Sequence, residues 1–252
     1  MGGTRGIGRA IALKLTEAGA NVIIQGRDQQ AADEVIAASE KLGPRPEFVA
    51  ANMYDYADVK RLMETAVERF GKLDIAVANG GTAIPRADLF QDIAPDRLVA
   101  YFESRVYHRI FAIHAAFPLM KARGYGKIIC TTTDAGRVPT PGESMIGAAA
   151  ASLIFLTRAL AREFVRWGVR INTISTTLTA DTPPYDNYRR ERDRGSDAVI
   201  VKAFRKIEEK SPFGLNKPED LADLALYLAS PGSDRLTGAT ISVTGGISFP
   251  AY

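Results

Sequence analysis

The 252-residue chain is poor in the residues that carry disulfide and metal chemistry: one cysteine, two histidines and one tryptophan. A lone Cys130 excludes an internal disulfide and fits a reducing, cytoplasmic setting. His108 and His114 have no partners at metal-ligand spacing, so no metal is expected, and both read as packing or interface residues. Charge of one sign is lacking too. Lys and Arg total 32 against 29 Asp and Glu, a net charge of +3, and the two signs are interleaved, so no nucleic-acid stripe is formed. No uninterrupted apolar run reaches the roughly 18 residues of a membrane helix, so no membrane is expected. Lys14 and Glu17 break the apolar start, which does not read as a signal peptide. Repeats, low-complexity tracts and linkers are not found.

What is present is a core-forming chain, 46% apolar, long enough for one large α/β domain. Its organising stretch is the first. Gly2, Gly6 and Gly8 form a G-x-x-x-G-x-G turn that opens into the apolar-periodic segment Arg9–Leu15. Glycine admits positive φ and close backbone approach, and the first amides of a helix face an anion. Gly2, Thr4, Arg5, Gly6, Ile7 and Gly8 are therefore the candidate pyrophosphate cradle. The bland alternative is an ordinary turn, since the spacing differs from G-x-G-x-x-G. Such a turn normally follows a buried central strand, and only Met1 precedes this one. The expectation is a truncated chain whose first central strand is missing.

Strands and helices then alternate. Helix Ile7–Ala18 leads to strand Asn21–Gln25, helix Gln29–Leu42, strand Glu47–Ala51, helix Tyr56–Phe70 and strand Leu73–Ala78. This pattern predicts a Rossmann-type, doubly wound parallel sheet in a single domain spanning residues 1–252. The end of the second strand of such a fold lies beside the adenosine ribose. Arg27 stands there, and with Arg5 it suits the 2′-phosphate of NADP better than NAD; the alternative is two solvated arginines. Asn52 is placed to meet an adenine edge. Asn79, Gly80 and Gly81 close the next strand and are further candidates for contact with the cofactor.

The Gly2–Gly8 turn, Leu73-Asp74-Ile75 and Asn79-Gly80-Gly81 resemble the short-chain dehydrogenase/reductase family. So do Ser211-Pro212-Phe213-Gly214, Pro218–Ala222, Leu236-Thr237-Gly238 and Val243-Thr244-Gly245-Gly246. The resemblance spans essentially the whole chain. It implies an NAD(P)(H)-dependent oxidoreductase of a carbonyl or alcohol substrate, a homodimer or homotetramer packed through the small-residue face Ala148–Ser152, and a substrate lid at residues 181–210. The family's catalytic Asn, Ser, Tyr and Lys fall on Arg105, Thr133, Ile146 and Ala150. Thr133 keeps a hydroxyl, but Ile146 exchanges no proton and Ala150 supplies no cation to lower a phenol's pKa. Thr176-Thr177 stands where the family has Pro-Gly. Ordinary dehydrogenase activity is therefore expected to be absent or weak. Two alternatives stand beside a residual NADP-dependent oxidoreductase. One is a silent binding or structural subunit, beside an active paralogue. The other is a non-redox lyase or isomerase using Arg105 with Asp134 or Glu143.

Overall fold

The computed structural model describes residues 1–81 and 86–249. Its first half runs α1 (Gly6–Glu17), β1 (Ile23–Gly26), α2 (Gln29–Ser39), β2 (Glu47–Ala50), α3 (Tyr56–Phe70) and β3 (Ile75–Ala78). Then come α4 (Leu98–Phe102), a π-helical turn (Glu103–Tyr107), α5 (His108–Lys121), β4 (Gly126–Thr133) and α6 (Ser144–Phe164). Next are β5 (Val169–Thr176), α7 (Pro183–Asp193), α8 (Val199–Lys210), α9 (Pro218–Ala229) and β6 (Thr240–Val243). The α-helices and strands anticipated from periodicity are present, shifted by one to three residues at most ends. Local chemistry explains the firm boundaries. Asp28 accepts from Ala31 N to start α2, Asp55 accepts from Ala57 N and Asp58 N to start α3, and left-handed Gly71 ends α3.

All strand pairs are parallel: β1 with β2, and β3–β4–β5–β6 in one four-stranded sheet. No ladder joins β1 to β3 among the described residues. Residues 1–3 cross that seam instead. Met1 N donates to Val77 O (2.7 Å), Gly3 N to Gln25 O (3.0 Å), and Gly2 N to Gln25 Oε1 (2.9 Å). Residues 1–3 are thus bonded once to β3 and twice to Gln25 of β1.

Helices cover both faces. Ile128 and Cys130 of β4 join the core packed by α3, α5 and α6, while Ile129 joins the core packed by α1, α2 and α9, the alternation a parallel sheet buried on both sides requires. Lys127 of β4 is buried, and its ammonium donates to Ala229 O (3.0 Å) and Ser230 O (2.8 Å) at the end of α9 and pairs with Asp234. A cation at a helix C-terminus is where the dipole favours it. The stretch Ser144–Trp167 has the length and mean hydropathy of a membrane span, although Arg158 and Arg162 interrupt it. Its Ile146, Ala150, Leu153, Ile154, Ala161 and Phe164 are buried within this domain, and it packs on β4 and β5, so it is a core helix of the fold. The segment expected from the resemblance to form a substrate lid consists of α7 and α8 around a small core of its own, Leu178, Tyr188 and Val201. The Glu208 carboxylate accepts from Tyr185, Tyr188 and Arg192 and ties the two lid helices together.

Candidate functional site

The glycine turn is held by contact rather than by composition alone. Gly2 has φ +62°, and a Cβ on Gly8 would lie 1.9 Å from Gly2 O. Only glycine fits at position 8 without opening the turn. Asn79 Nδ2 donates to the same Gly2 carbonyl (3.4 Å), while its Oδ1 accepts from Thr131 Oγ1 (2.8 Å). Asn79 therefore staples the turn to β3 and β4. No side chain caps α1, so the amides of Gly6, Ile7 and Gly8 remain available to an anion. Thr4 leans on Gly26 at the end of β1, and Thr182 and Pro183 of the lid lie 3.4 Å from where a Gly6 Cβ would sit. A cleft of about 420 Å³ opens here, lined by Thr4, Arg5, Gly6, Arg9, Asp186 and Arg190 among others.

The two arginines of the ribose end part company. Arg5 Nη2 is 2.7 Å from Asp28 Oδ2; Asp28 is held below the usual carboxylate range by the Ala31 amide first and by Arg5 as well. Arg27 is exposed, with no partner among the described residues. Asn52 is exposed, its Oδ1 accepting from Tyr54 N (3.1 Å), so its acceptor is committed to the turn. The Gly80 carbonyl accepts from Arg109 Nη2 (3.0 Å), and Gly81 lies against Ser104 and His108.

The catalytic wall is quiet at the family positions. Thr133 Oγ1 accepts from Ala135 N (3.3 Å), capping the 3-10 turn Asp134–Gly136. Ile146 and Ala150 are 6% and 4% exposed, and Gly136 is pressed against Ala150 so closely that a Cβ on Gly136 would lie 2.8 Å from the Ala150 methyl. Thr176 and Thr177 both accept from Asn216 Nδ2, at 3.1 and 3.3 Å, which spends hydroxyl capacity on the chain after the lid.

Charge is concentrated beside these positions. Asp134 is buried and accepts from Ser175 (3.0 Å), Ser242 (2.8 Å), Arg137 (3.2 Å) and Ser248. Burial opposes its ionisation, but these donors outweigh burial and its pKa is lowered. Arg105 lies on the π-helical turn, which packs against α6. Burial lowers its pKa while Glu143 opposes that. Glu143, just before α6, is pushed up to about 7 by burial, against the pull of Arg105. His108 is fully buried and lowered to about 2 by burial and then by Arg109. It is a neutral packing residue, its Nδ1 without a partner among the described residues. His114 is exposed and hydrogen-bonds Tyr56 OH at 2.7 Å. No cluster of metal ligands occurs among the described residues.

Arg109 escaped the sequence reading. It is buried, donating from Nε to Thr131 O (2.6 Å) and from Nη1 to Arg105 O. Its only sequence signal is its place one turn after Arg105. Arg9 and Arg190, which both line the 420 Å³ cleft, belong to segments far apart in sequence and carried none.

A parallel sheet covered on both faces, with an uncapped glycine-turn helix at the strand C-termini, defines a dinucleotide-binding α/β protein. A family profile described as "Enoyl-(Acyl carrier protein) reductase" matches residues 2–248. Oxidoreductase asL5 of Sarocladium schorii is 32% identical over 98% of this chain and 93% of its own. The D-beta-hydroxybutyrate dehydrogenase of Rhizobium meliloti (strain 1021) is 31% identical over 97% and 95%. The structure of a 7 alpha-hydroxysteroid dehydrogenase complexed with NADH and 7-oxo glycochenodeoxycholic acid superposes with TM-score 0.85, at 24% identity over 98% of this chain and 91% of that one. The chain belongs to the short-chain dehydrogenase/reductase family.

Gly8→Ala tests the cradle. The new methyl cannot coexist with Gly2 O, so titration with NADPH should show at least about tenfold weaker binding than wild type, about 1.4 kcal/mol. Unchanged affinity would show that the dinucleotide does not use this turn.

Proposed function

We propose that this protein is an NADP(H)-binding short-chain dehydrogenase/reductase directed at an alcohol or carbonyl substrate, with ordinary hydride transfer absent or weak. The carrying observation is the pair Ile146 and Ala150, apolar and buried at the positions that the family resemblance gives to the proton donor and the ribose-holding cation. The residues present fit the adenosine-phosphate half of the dinucleotide. Gly6, Ile7 and Gly8 offer free helix-start amides, and Arg27 offers an exposed cation at the end of β1. When bound, that group supplies the hydride donor or acceptor. The chain's own contribution is to hold the phosphates and, through Thr182 and Pro183, to roof the turn. Thr133 keeps a hydroxyl at the strand end, but the capping bond to Ala135 competes for it.

NADP preference rests on Arg27, since Arg5 is shared with Asp28. Calorimetric titration should therefore give tighter binding of NADPH than NADH. Arg27→Ala should weaken NADPH by roughly tenfold or more, the scale of one charge-assisted hydrogen bond, and leave NADH unchanged. Equal binding of both cofactors by the wild type would refute the preference.

Low activity is attributed to the two lost groups, so Ile146→Tyr with Ala150→Lys should raise NADPH oxidation against a panel of ketones and aldehydes. A positioned acid is worth on the order of 10²–10⁴ in rate. If the variant binds NADPH and shows no gain, the attribution fails.

Assembly as a homodimer or homotetramer is supported by the outer face of α6. Ala148 and Ser152 are exposed there, and Phe155 is 72% exposed, an apolar surface of the kind a partner covers. An active paralogue is a second candidate to cover it. Light scattering should find the wild type dimeric or larger and Phe155→Asp smaller; a monomeric wild type would exclude self-assembly through this face.

A further inference from the structure

Strand β1 carries a polar side chain at a buried position. Gln25 is 1% exposed and follows Ile23 and Ile24. An amide buried there is costly unless both of its ends are bonded. Both are: its Oε1 accepts from Gly2 N (2.9 Å) and its Nε2 donates to Ala51 O (2.6 Å). The partners fix which end is which, since a backbone N–H needs an acceptor and a carbonyl needs a donor. The backbone of the same residue adds a third bond, Gln25 O accepting from Gly3 N (3.0 Å).

The two side-chain partners belong to different parts of the nucleotide site. Gly2 is the residue whose carbonyl Gly8 approaches, so one end of the amide holds the turn whose helix-start amides meet the phosphates. Ala51 follows β2 and leads into Asn52, the residue placed at the adenine edge. That corner is pinned in turn: Ala51 N donates to Gly26 O (3.1 Å) and Asn52 N to Asp58 Oδ2 (2.8 Å). We propose that Gln25 is a positioning residue for the adenosine half of the dinucleotide, its amide holding the phosphate-binding turn in register with the Ala51–Asn52 corner. The side chain is sealed from the site and acts through the backbone on either side of it. A ligand that spans both ends binds better when their spacing is set beforehand, because less has to be ordered on binding. The inference rests on the dinucleotide reading and does not depend on hydride transfer.

The test is a calorimetric titration with NADP⁺ of the wild type, Gln25→Met and Gln25→Glu, each first shown to be folded by circular dichroism, at about pH 6 and about pH 8. Methionine matches glutamine in length and bonds neither partner, so Gln25→Met should bind at least about tenfold more weakly than wild type at both pH values. The carboxyl introduced by Gln25→Glu is buried, which raises its pKa. Protonated, it donates to Ala51 O and accepts from Gly2 N as the amide does; ionised, it sets a charged oxygen against the Ala51 carbonyl. Gln25→Glu should therefore stay within about threefold of wild type at about pH 6 and fall towards Gln25→Met at about pH 8. The charged groups beside these partners do not follow that course: burial lowers the Met1 amine to about 5, and the Asn52 amide and Arg61 hold Asp58 below the usual carboxylate range. A side chain that only supports folding would lower the melting temperature and leave the affinity of folded molecules at the wild-type value in both variants. Wild-type affinity in Gln25→Met, or Gln25→Glu binding no tighter than Gln25→Met at about pH 6, would overturn the inference and leave the dinucleotide reading intact. If Gln25→Met does not fold, Gln25→Glu decides alone, and an affinity that does not fall with pH relative to wild type overturns the inference. A wild type that binds no NADP⁺ overturns both.

Discussion

The structure depends on one close approach, that of Gly8 to the carbonyl of Gly2. It folds the turn so that the first amides of α1 emerge at the C-terminal end of the sheet, where Gly3 is bonded to β1 and Met1 to β3. The same Gly2 carbonyl receives the Asn79 amide, and Asn79 in turn receives Thr131. One turn thus fixes the anion-binding helix and closes the seam between the two-stranded and four-stranded sheets. A side chain at position 8 would disturb both, because the contact is backbone to backbone and has no flexible end to yield.

Beyond that seam, the ends of β4 and β5 are governed by how each buried charge is satisfied. Lys127 faces helix-end carbonyls, Arg109 faces the carbonyls of Gly80, Thr131 and Arg105, and Asp134 faces three serines and Arg137. Each is a charge stabilised mainly by dipoles, the arrangement that makes burial of an ion tolerable. Asp134 and Glu143 show the rule from both sides. The first has donors on its oxygens and its pKa is lowered; the second has no hydrogen-bond donor among the described residues, and burial pushes it up to about 7 against the pull of Arg105. The sequence offers both simply as acidic residues beside a strand end.

The alternation of elements was readable because it rests on local signals: apolar periodicity, aspartates at helix starts, Gly71 at a helix end. The glycine turn was readable for the same reason. What could not be read was pairing. Arg5 and Asp28 lie far apart in sequence, and only the fold brings them to 2.7 Å and divides the work of the two ribose-end arginines unequally. Asn79 is bonded to Gly2 and Thr131, partners from two other segments that its place after β3 does not announce. The π-helical turn Glu103–Tyr107 was not anticipated: one extra residue in a turn shifts the phase of the apolar pattern after it, and across so short a stretch that shift does not stand out from an ordinary helix. Ile146 and Ala150 were legible only by resemblance, and the fold adds that both are sealed, Ala150 against Gly136.

The departures that the family resemblance implies at Arg105, Ile146 and Ala150 are coupled by charge. The wall already holds two desolvated guanidinium groups, each lowered in pKa by burial, and Arg105 further depresses Arg109. A lysine ammonium added to the same cleft from α6 would be a third cation against a single nearby carboxyl, Glu143, with Asp134 already committed to its own donors. Like charges in a poorly hydrated site repel strongly. An arginine at position 105 therefore favours an uncharged residue at position 150, and a tyrosine at 146 without that lysine would have no cation to lower its pKa.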